Sequence, residues 1–332
     1  MTRARLGRWL IGSLLVLGLG LKSIPLQAER LYDTEYDSIE SLARAAGLAV
    51  AWPVPQKKAV LTGRSWRLAF EADSRDFDLD GLRVFLGEPA VPNRRSIYIS
   101  RIDRERFLLP ILNPAAIPGP VPRLRTIVID PGHGGKDDGT VNAKLKLREK
   151  AMTLDVALRL EKLLKAAGYQ VVLTRRKDTF VPLPLRPAYA NKVKADLFIS
   201  IHFNAIDSNA ITGSETYILT KQGQRSTSSD KRQPDDHQRY AGNADDPWNA
   251  VLGYRIHHAV VESLQSFDRG LKHARFAVLR DLDCPGLLIE AGYLSNEAEA
   301  RRIGTADWRQ KLAQAIAGGV ADYRAALGAG RK

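Results

Sequence analysis

The sequence predicts an α/β fold: a single open, mostly parallel or mixed sheet with helices on both faces, preceded by a small α+β module. Three observations carry this expectation. From Arg123 onward, strand-like and helix-like stretches alternate. Three apolar runs each deliver a metal-capable or acidic side chain: LRTIVIDPGHGGK (124–136) at His133, ADLFISIHFNA (195–205) at His202 and PGLLIEAGYLSN (285–296) at Glu290. Before them lies NPAAIPGPVP (113–122), with four prolines and a glycine, a stiff stretch that packs poorly and marks a boundary.

Residues 1–28 read as a secretory signal peptide. Arg3, Arg5 and Arg8 form a basic head, residues 9–21 are apolar but short for a membrane span, and Pro25 and Ala28 suit cleavage after Ala28. The alternative for these residues is an uncleaved anchor. No cysteine follows the apolar stretch, which argues against a lipoprotein. A periplasmic or secreted protein is expected, without stable membrane insertion after cleavage. The sole cysteine, Cys284, forms no internal disulfide.

The formal charge is +13, and four of the basic residues sit in the leader. The remaining excess falls after residue 120. It suits an anionic surface or polymer, and equally plain solubility. Export argues against nucleic acid.

Residues 29–112 read as the accessory module. DSIESLARAAGL forms a short helix with Asp37 or Ser38 as N-cap and Gly47 as its stop. AVLTG, WRLAFEA, LRVFLG and SIYISRI are strands. No cluster of His, Cys and carboxylate occurs here, so a binding or spacer role is expected.

After the linker at 113–122, residues 123–332 form the larger domain. A helix over 149–167 sets Leu154, Leu158 and Leu164 on one side, and a strand follows at 169–174. Pro187 starts a helix through Lys194. After the His202 run, SETYILT (214–220) is a strand and Pro247 opens a helix to about Ser266. FAVLR (276–280) and the Glu290 run complete the sheet. The last helix aligns Trp308, Leu312, Ile316, Val320, Tyr323 and Leu327 on one stripe. Residues 221–249 are mostly polar and break the rhythm, reading equally as a lid or as a disordered segment.

His237, His257, His258 and His273 read as structural. His133 and His202 differ, because each closes a strand at the edge where open α/β sheets bind ligands. Glu149 opens the helix that follows the His133 loop. Two neutral imidazoles and one carboxylate suit an open zinc site that leaves room for water. Glu290 either salt-bridges an arginine or acts as general base, since a carboxylate closing an apolar run has a partner or a task.

DPGHGG, REK (148–150), LTRRKD (173–178), ADLFISIHFNA and LLIEAGYLSNEAEA together resemble the successive signatures of the zinc-dependent N-acetylmuramoyl-L-alanine amidases, over about residues 127–323. The resemblance implies zinc held by His133, Glu149 and His202, with Glu290 as the catalytic carboxylate. It also implies cleavage of the amide between muramic acid's lactyl group and L-alanine. Peptidoglycan is the implied partner, a protein activator is left open, and nucleic acid is not expected. Three departures stand out. The 139–149 loop is basic, Phe203 follows His202 where a smaller residue is commoner, and 221–249 lacks the glutamate of the inhibitory helix found in some relatives.

Overall fold

A computed structural model describes residues 29–31, 34–208 and 210–329; the leader reading falls on residues outside these. Among the described residues, no helix is long and apolar enough to cross a membrane.

Eleven strands make one mixed sheet. In chain order they are β1 (Ala49–Val54), β2 (Lys58–Thr62), β3 (Arg67–Glu71), β4 (Asp76–Leu79), β5 (Leu82–Phe85), β6 (Thr126–Pro131), β7 (Gln170–Leu173), β8 (Leu197–Asn204), β9 (Ser214–Leu219), β10 (Asp268–Ala274) and β11 (Gly286–Tyr293). Across the sheet they run β7-β6-β8-β11-β9-β10-β5-β4-β3-β2-β1. The first four are parallel, while β9 is antiparallel to β11 and parallel to β10. Strands β5 back to β1 form an antiparallel meander. The N-terminal strands thus extend the main sheet. The seam is the Leu271↔Val84 pair, reinforced by the Arg83 amide donating to Asp268 Oδ2 at 2.6 Å.

The helices used below are α1 (Ile39–Ala46), α2 (Glu149–Ala166), α3 (Leu185–Lys192), α4 (Asp246–Leu264), α5 (Ala277–Arg280) and α6 (Ala306–Ala329). Strand alternation explains why they cover both faces. Ile127, Ile129, Ile199, Ile201, Leu287 and Ile289 point to one side, into a core shared with α2, α4 and α6. Val128, Phe198 and Leu288 point to the other, against Ala190 of α3 and Val278 and Leu279 of α5. Each such aliphatic contributes roughly 1.5–3 kcal/mol on full burial. The stripe expected on the last helix is present: Leu312, Ile316, Val320, Tyr323 and Leu327 are buried, and Trp308 is half-buried. In α1, Gly47 closes the helix at φ 66°, as its sequence implies.

Adjacent glycines of α6 predict opposite responses. A Cβ at Gly319 would lie 2.8 Å from the Ile256 Cα of α4, whereas one at Gly318 meets nothing within 4 Å. Gly318→Ala should therefore stabilise the protein by up to about 1 kcal/mol through helix propensity. Gly319→Ala should lower stability by about 1–3 kcal/mol through overpacking. Urea midpoints of the two variants, moving in opposite directions, are the check.

Three expectations need correction. FAVLR is not a strand: its last four residues form α5, and the ladder is completed by DRGLKHA (268–274). That strand hides behind a glycine and four charged or titratable residues, and its partners β9 and β5 make it a strand. On α2 the buried face is Val156, Ala157, Leu160 and Leu164, with Leu154 and Leu158 only half-buried. Val156 and Ala157 share that face with Leu160 and Leu164, so a stripe drawn through Leu154 and Leu158 misplaces it.

Residues 221–249 form neither a lid nor a loose loop. They strap the N-terminal strands to the larger domain. Arg75 donates to the Gly87 and Ser229 carbonyls at 2.9 and 3.0 Å, and Glu88 pairs with Arg225 and Arg232 at 3.0 and 2.8 Å. Lys221 is buried 3.6 Å from Asp103, with its ammonium 4.5 Å from the Phe107 ring centre. Lys221, Arg225 and Arg232 are used in these bonds, while Lys231, Gln233, Asp235 and residues 237–239 stay exposed.

Candidate active site

The site begins where β6 ends. Asp130 is fully buried, and its carboxylate accepts from Thr174 Oγ1 (2.6 Å), Ser200 Oγ (2.9 Å) and Arg186 Nη1 (2.7 Å). Arg186, also buried, donates onward to the carbonyls of Pro131 (2.9 Å) and His133 (3.0 Å). Arg175 takes the Pro131 and Gly132 carbonyls at 3.0 and 2.7 Å. Burial in this cation-rich pocket, with Arg186 adding to it, pulls the Arg175 pKa down to about 10.

The two guanidinium groups hold a turn that the backbone resists. His133 sits at φ 61°, a conformation that costs a non-glycine residue of order 1–3 kcal/mol. Arg186→Ala leaves Asp130 buried without its cation, so a loss of about 3–5 kcal/mol is expected in chemical denaturation.

From this turn His133 faces Glu149, the first residue of α2. His133 Nε2 and His202 Nδ1 each lie 3.0 Å from the same Glu149 oxygen, Oε1. The ring centres of the two histidines are 4.9 Å apart. Glu149 is oriented by backbone amides: Phe203 donates to Oε1 at 3.0 Å and Thr140 to Oε2 at 2.8 Å. His133 Nδ1 lies 2.9 Å from Asp137 Oδ2, so its other nitrogen is turned toward Glu149.

The space is made by missing side chains. A Cβ at Gly132 would collide with the His202 ring, and one at Gly139 would lie 2.6 Å from both Glu149 Oε2 and the His133 ring.

Electrostatics follow from these contacts. Burial alone would raise the Glu149 pKa, but bonds and charge from His133 and His202 hold it well below the usual carboxylate range. Burial opposes charge on His133, yet Glu149 and Asp137 raise its pKa on balance. One ligand atom from each of His133, Glu149 and His202 lies within 4.8 Å of the other two, and the three could hold a metal ion.

Glu290 stands beside them. Sheet register sets His202 opposite Glu290 and Glu290 opposite Glu215, one row across β8, β11 and β9. Although Glu290 is partly exposed as a residue, its Oε2 is buried without a hydrogen-bond partner among the described residues. Burial first, then the Glu149 and Glu215 charges, push its pKa well above the ordinary value.

Glu215 is poised the other way. Burial opposes its charge, but Lys272 (2.9 Å), Tyr217 (2.5 Å) and Tyr293 outweigh it and lower the pKa. The proton affinities of two neighbouring carboxylates are thus pushed apart, down at Glu215 and up at Glu290.

All four residues singled out in the sequence therefore meet at one edge of the sheet. Sequence reading missed Asp137, Arg175, Arg186 and Glu215. Asp137 is four residues beyond His133 and Arg175 lies within a quoted motif, so both carried a signal. Arg186 and Glu215 are read only from the fold.

Residues 127–322 match the family model described as N-acetylmuramoyl-L-alanine amidase. Among curated proteins, the chain is 35% identical over 235 residues to the N-acetylmuramoyl-L-alanine amidase AmiC of Escherichia coli O6:H1, covering 62% of this chain and 55% of that one. It thus spans about half the length of that relative. Among solved structures, it is similar to the catalytic domain of CwlV, an N-acetylmuramoyl-L-alanine amidase from Bacillus (Paenibacillus) polymyxa var. colistinus. The identity there is 34% at TM-score 0.50, covering 61% of this chain and 99% of that one. It is also similar to the CwlD amidase of Clostridioides difficile, solved in complex with the GerS lipoprotein. That match has 26% identity and TM-score 0.51, over 60% of this chain and 98% of that one.

Proposed function

This chain belongs to the N-acetylmuramoyl-L-alanine amidase family, and from that premise we propose that it hydrolyses the amide between the lactyl group of N-acetylmuramic acid and L-alanine in peptidoglycan. The reading assigns His133, Glu149 and His202 as holders of one zinc ion and Glu290 as the catalytic carboxylate. What supports it is the convergence of His133 Nε2 and His202 Nδ1 on one Glu149 oxygen, at 3.0 Å each, beside an unpartnered Glu290 oxygen. The donor set fits zinc, which takes imidazole nitrogen and carboxylate oxygen and leaves a position open in catalytic sites. When bound, the ion supplies Lewis acidity, lowering the pKa of water and polarising a carbonyl.

The chain's own residues do the rest. Asp137 holds the His133 ring so that its Nε2 faces inward. Glu149 is fixed by the Phe203 and Thr140 amides before any ion arrives. Glu290 removes the proton from the attacking water and returns it to the departing amide nitrogen. A carboxyl with raised proton affinity suits both halves of that exchange.

In this reading residues 29–112 are the accessory module and 123–332 the catalytic domain, exported to the periplasm or beyond behind a leader at 1–28. The physiological role is cell-wall remodelling or daughter-cell separation. The relative solved with a lipoprotein supports a protein activator as a partner here as well.

Digestion of purified sacculi tests the reaction. Stem peptides free of sugar, beginning at L-alanine, are the expected product. Fragments cut within the peptide, with L-alanine still on the sugar, would replace this reading with a peptidase. Sacculi bound but left whole would replace it with a wall-binding protein.

A further inference from the structure

One side of the sheet runs from the catalytic edge, past the buried Glu215, to the exposed Arg83, Arg67 and Lys58 of the N-terminal strands, and register fixes which residues it carries. His202, Glu290 and Glu215 form one row; Tyr217, two residues beyond Glu215, pairs with Lys272. The Leu271↔Val84 pair then sets Lys272 beside Phe85. Phe85 pairs with Asp76, Asp78 with Arg83 and with Ala69, and Ala69 with Val60. Because side chains alternate, all of these share one side. The opposite side buries Val84, Phe77, Leu79, Leu68 and Leu61. At about 4.8 Å per strand, the six spacings from β11 to β2 span roughly 29 Å.

The chemistry of this face is specific. The Lys272 ammonium lies 5.8 Å from the Tyr217 ring centre and 5.6 Å from that of Phe85, while the Arg83 guanidinium lies 4.8 Å from Phe85. Further out, charges are matched across strands: Arg83–Asp76 at 2.7 Å, Arg67–Asp78 at 2.9 Å and Lys58–Glu71 at 3.2 Å. Val60 and Ala69 lie between these pairs in a cavity of about 530 Å³, which Asp268 also lines.

Three cations thus meet four carboxylates, in a chain whose overall charge is +13. A polyanion gains nothing here. Hydroxyl- and amide-rich sugars do, because paired charges still offer donors and acceptors, and the Phe85 ring offers a flat apolar contact.

We propose that the exposed N-terminal part of this side is a glycan-binding trough that receives the sugar strand of the substrate as it leaves the Glu290 edge. The proposal deepens the amidase reading and rests on it. It also gives the accessory module a task that a flexibly tethered domain could not perform, since the floor of the trough is one hydrogen-bonded sheet.

The test is co-sedimentation of the full chain with purified sacculi at 0.3 M salt, where general charge attraction is largely screened. The parent carries Glu290→Gln so that substrate persists. Adding Phe85→Ala, or separately Val60→Arg to obstruct the cavity, should weaken sedimentation about ten-fold. Melting temperatures of the variants establish that they are folded.

Folded variants that sediment as tightly as the parent would overturn the trough, as would a parent that does not sediment. Digestion of sacculi by the unmodified chain is scored separately. A chain that releases stem peptides while its trough variants bind undiminished refutes the trough alone. A chain that releases none refutes the reaction itself.

Discussion

Glu290→Gln should abolish measurable release of stem peptides from sacculi while leaving a folded protein. General acid–base catalysis by a placed side chain is worth about 10²–10⁴-fold, and among the described residues no second carboxyl outside the proposed ligand set stands in the same place. Glu215 is the nearest candidate by register, but Lys272, Tyr217 and Tyr293 hold it ionised and occupied.

The same substitution should stabilise the ion-free protein, because it removes a group that the fold prefers uncharged. The sign is fixed by proton counting. With its pKa raised by burial and by Glu149 and Glu215, Glu290 keeps a proton in the native state that the unfolded chain releases. Native stability therefore falls as pH rises above the unfolded value near 4.3, until the native carboxyl also ionises. Glutamine does not titrate. Urea unfolding of the metal-free parent and variant should coincide at about pH 3.5 and separate at pH 7, with the variant the more stable. An unchanged gap across that range would show that Glu290 is not poised as described.

The second large effect is expected at the ligand set. Glu149→Ala removes the oxygen on which both imidazoles converge and breaks the contacts that orient it. His202→Ala removes one of the three proposed donors. Either variant should purify with far less than one zinc per chain and show no detectable amidase activity, whereas the parent holds one. Chelation of the parent should abolish activity, and added zinc should restore it. Asp137→Asn should fall between, with metal affinity weakened about 10–100-fold, as is typical when the partner of a ligating histidine is lost. Full zinc occupancy and activity in Glu149→Ala would remove that residue from the centre.

Much of this arrangement was legible before any coordinates. A run such as TIVIDPGHGG announces a buried strand, a turn and an exposed imidazole, and the three such runs became the neighbouring strands β6, β8 and β11. The fold class followed from the alternation after Arg123, and the α6 stripe from its spacing.

What escaped is set by tertiary context. DRGLKHA looks like a loop because its glycine and charges obey no alternation, yet β9 and β5 supply its ladder. Residues 221–249 look solvated, but Arg225 and Arg232 pair with Glu88, Gln224 donates to Ser100 and Lys221 is buried beside Asp103, across a seam that sequence cannot reveal. Arg186 gives no local sign that it will reach back 56 residues to Asp130. Continuity of the N-terminal strands with the catalytic sheet was equally hidden, because the proline-rich stretch suggested separation.

The most direct test of the metal centre is anomalous scattering from crystals of the purified protein, measured on both sides of the zinc absorption edge. One strong peak should appear beside His133 Nε2, His202 Nδ1 and the Glu149 carboxylate, at the roughly 2.0–2.2 Å separations of zinc–nitrogen and zinc–oxygen bonds. A peak held by other residues, or none at all in crystals of fully active enzyme, would contradict the assignment of these three side chains to one ion.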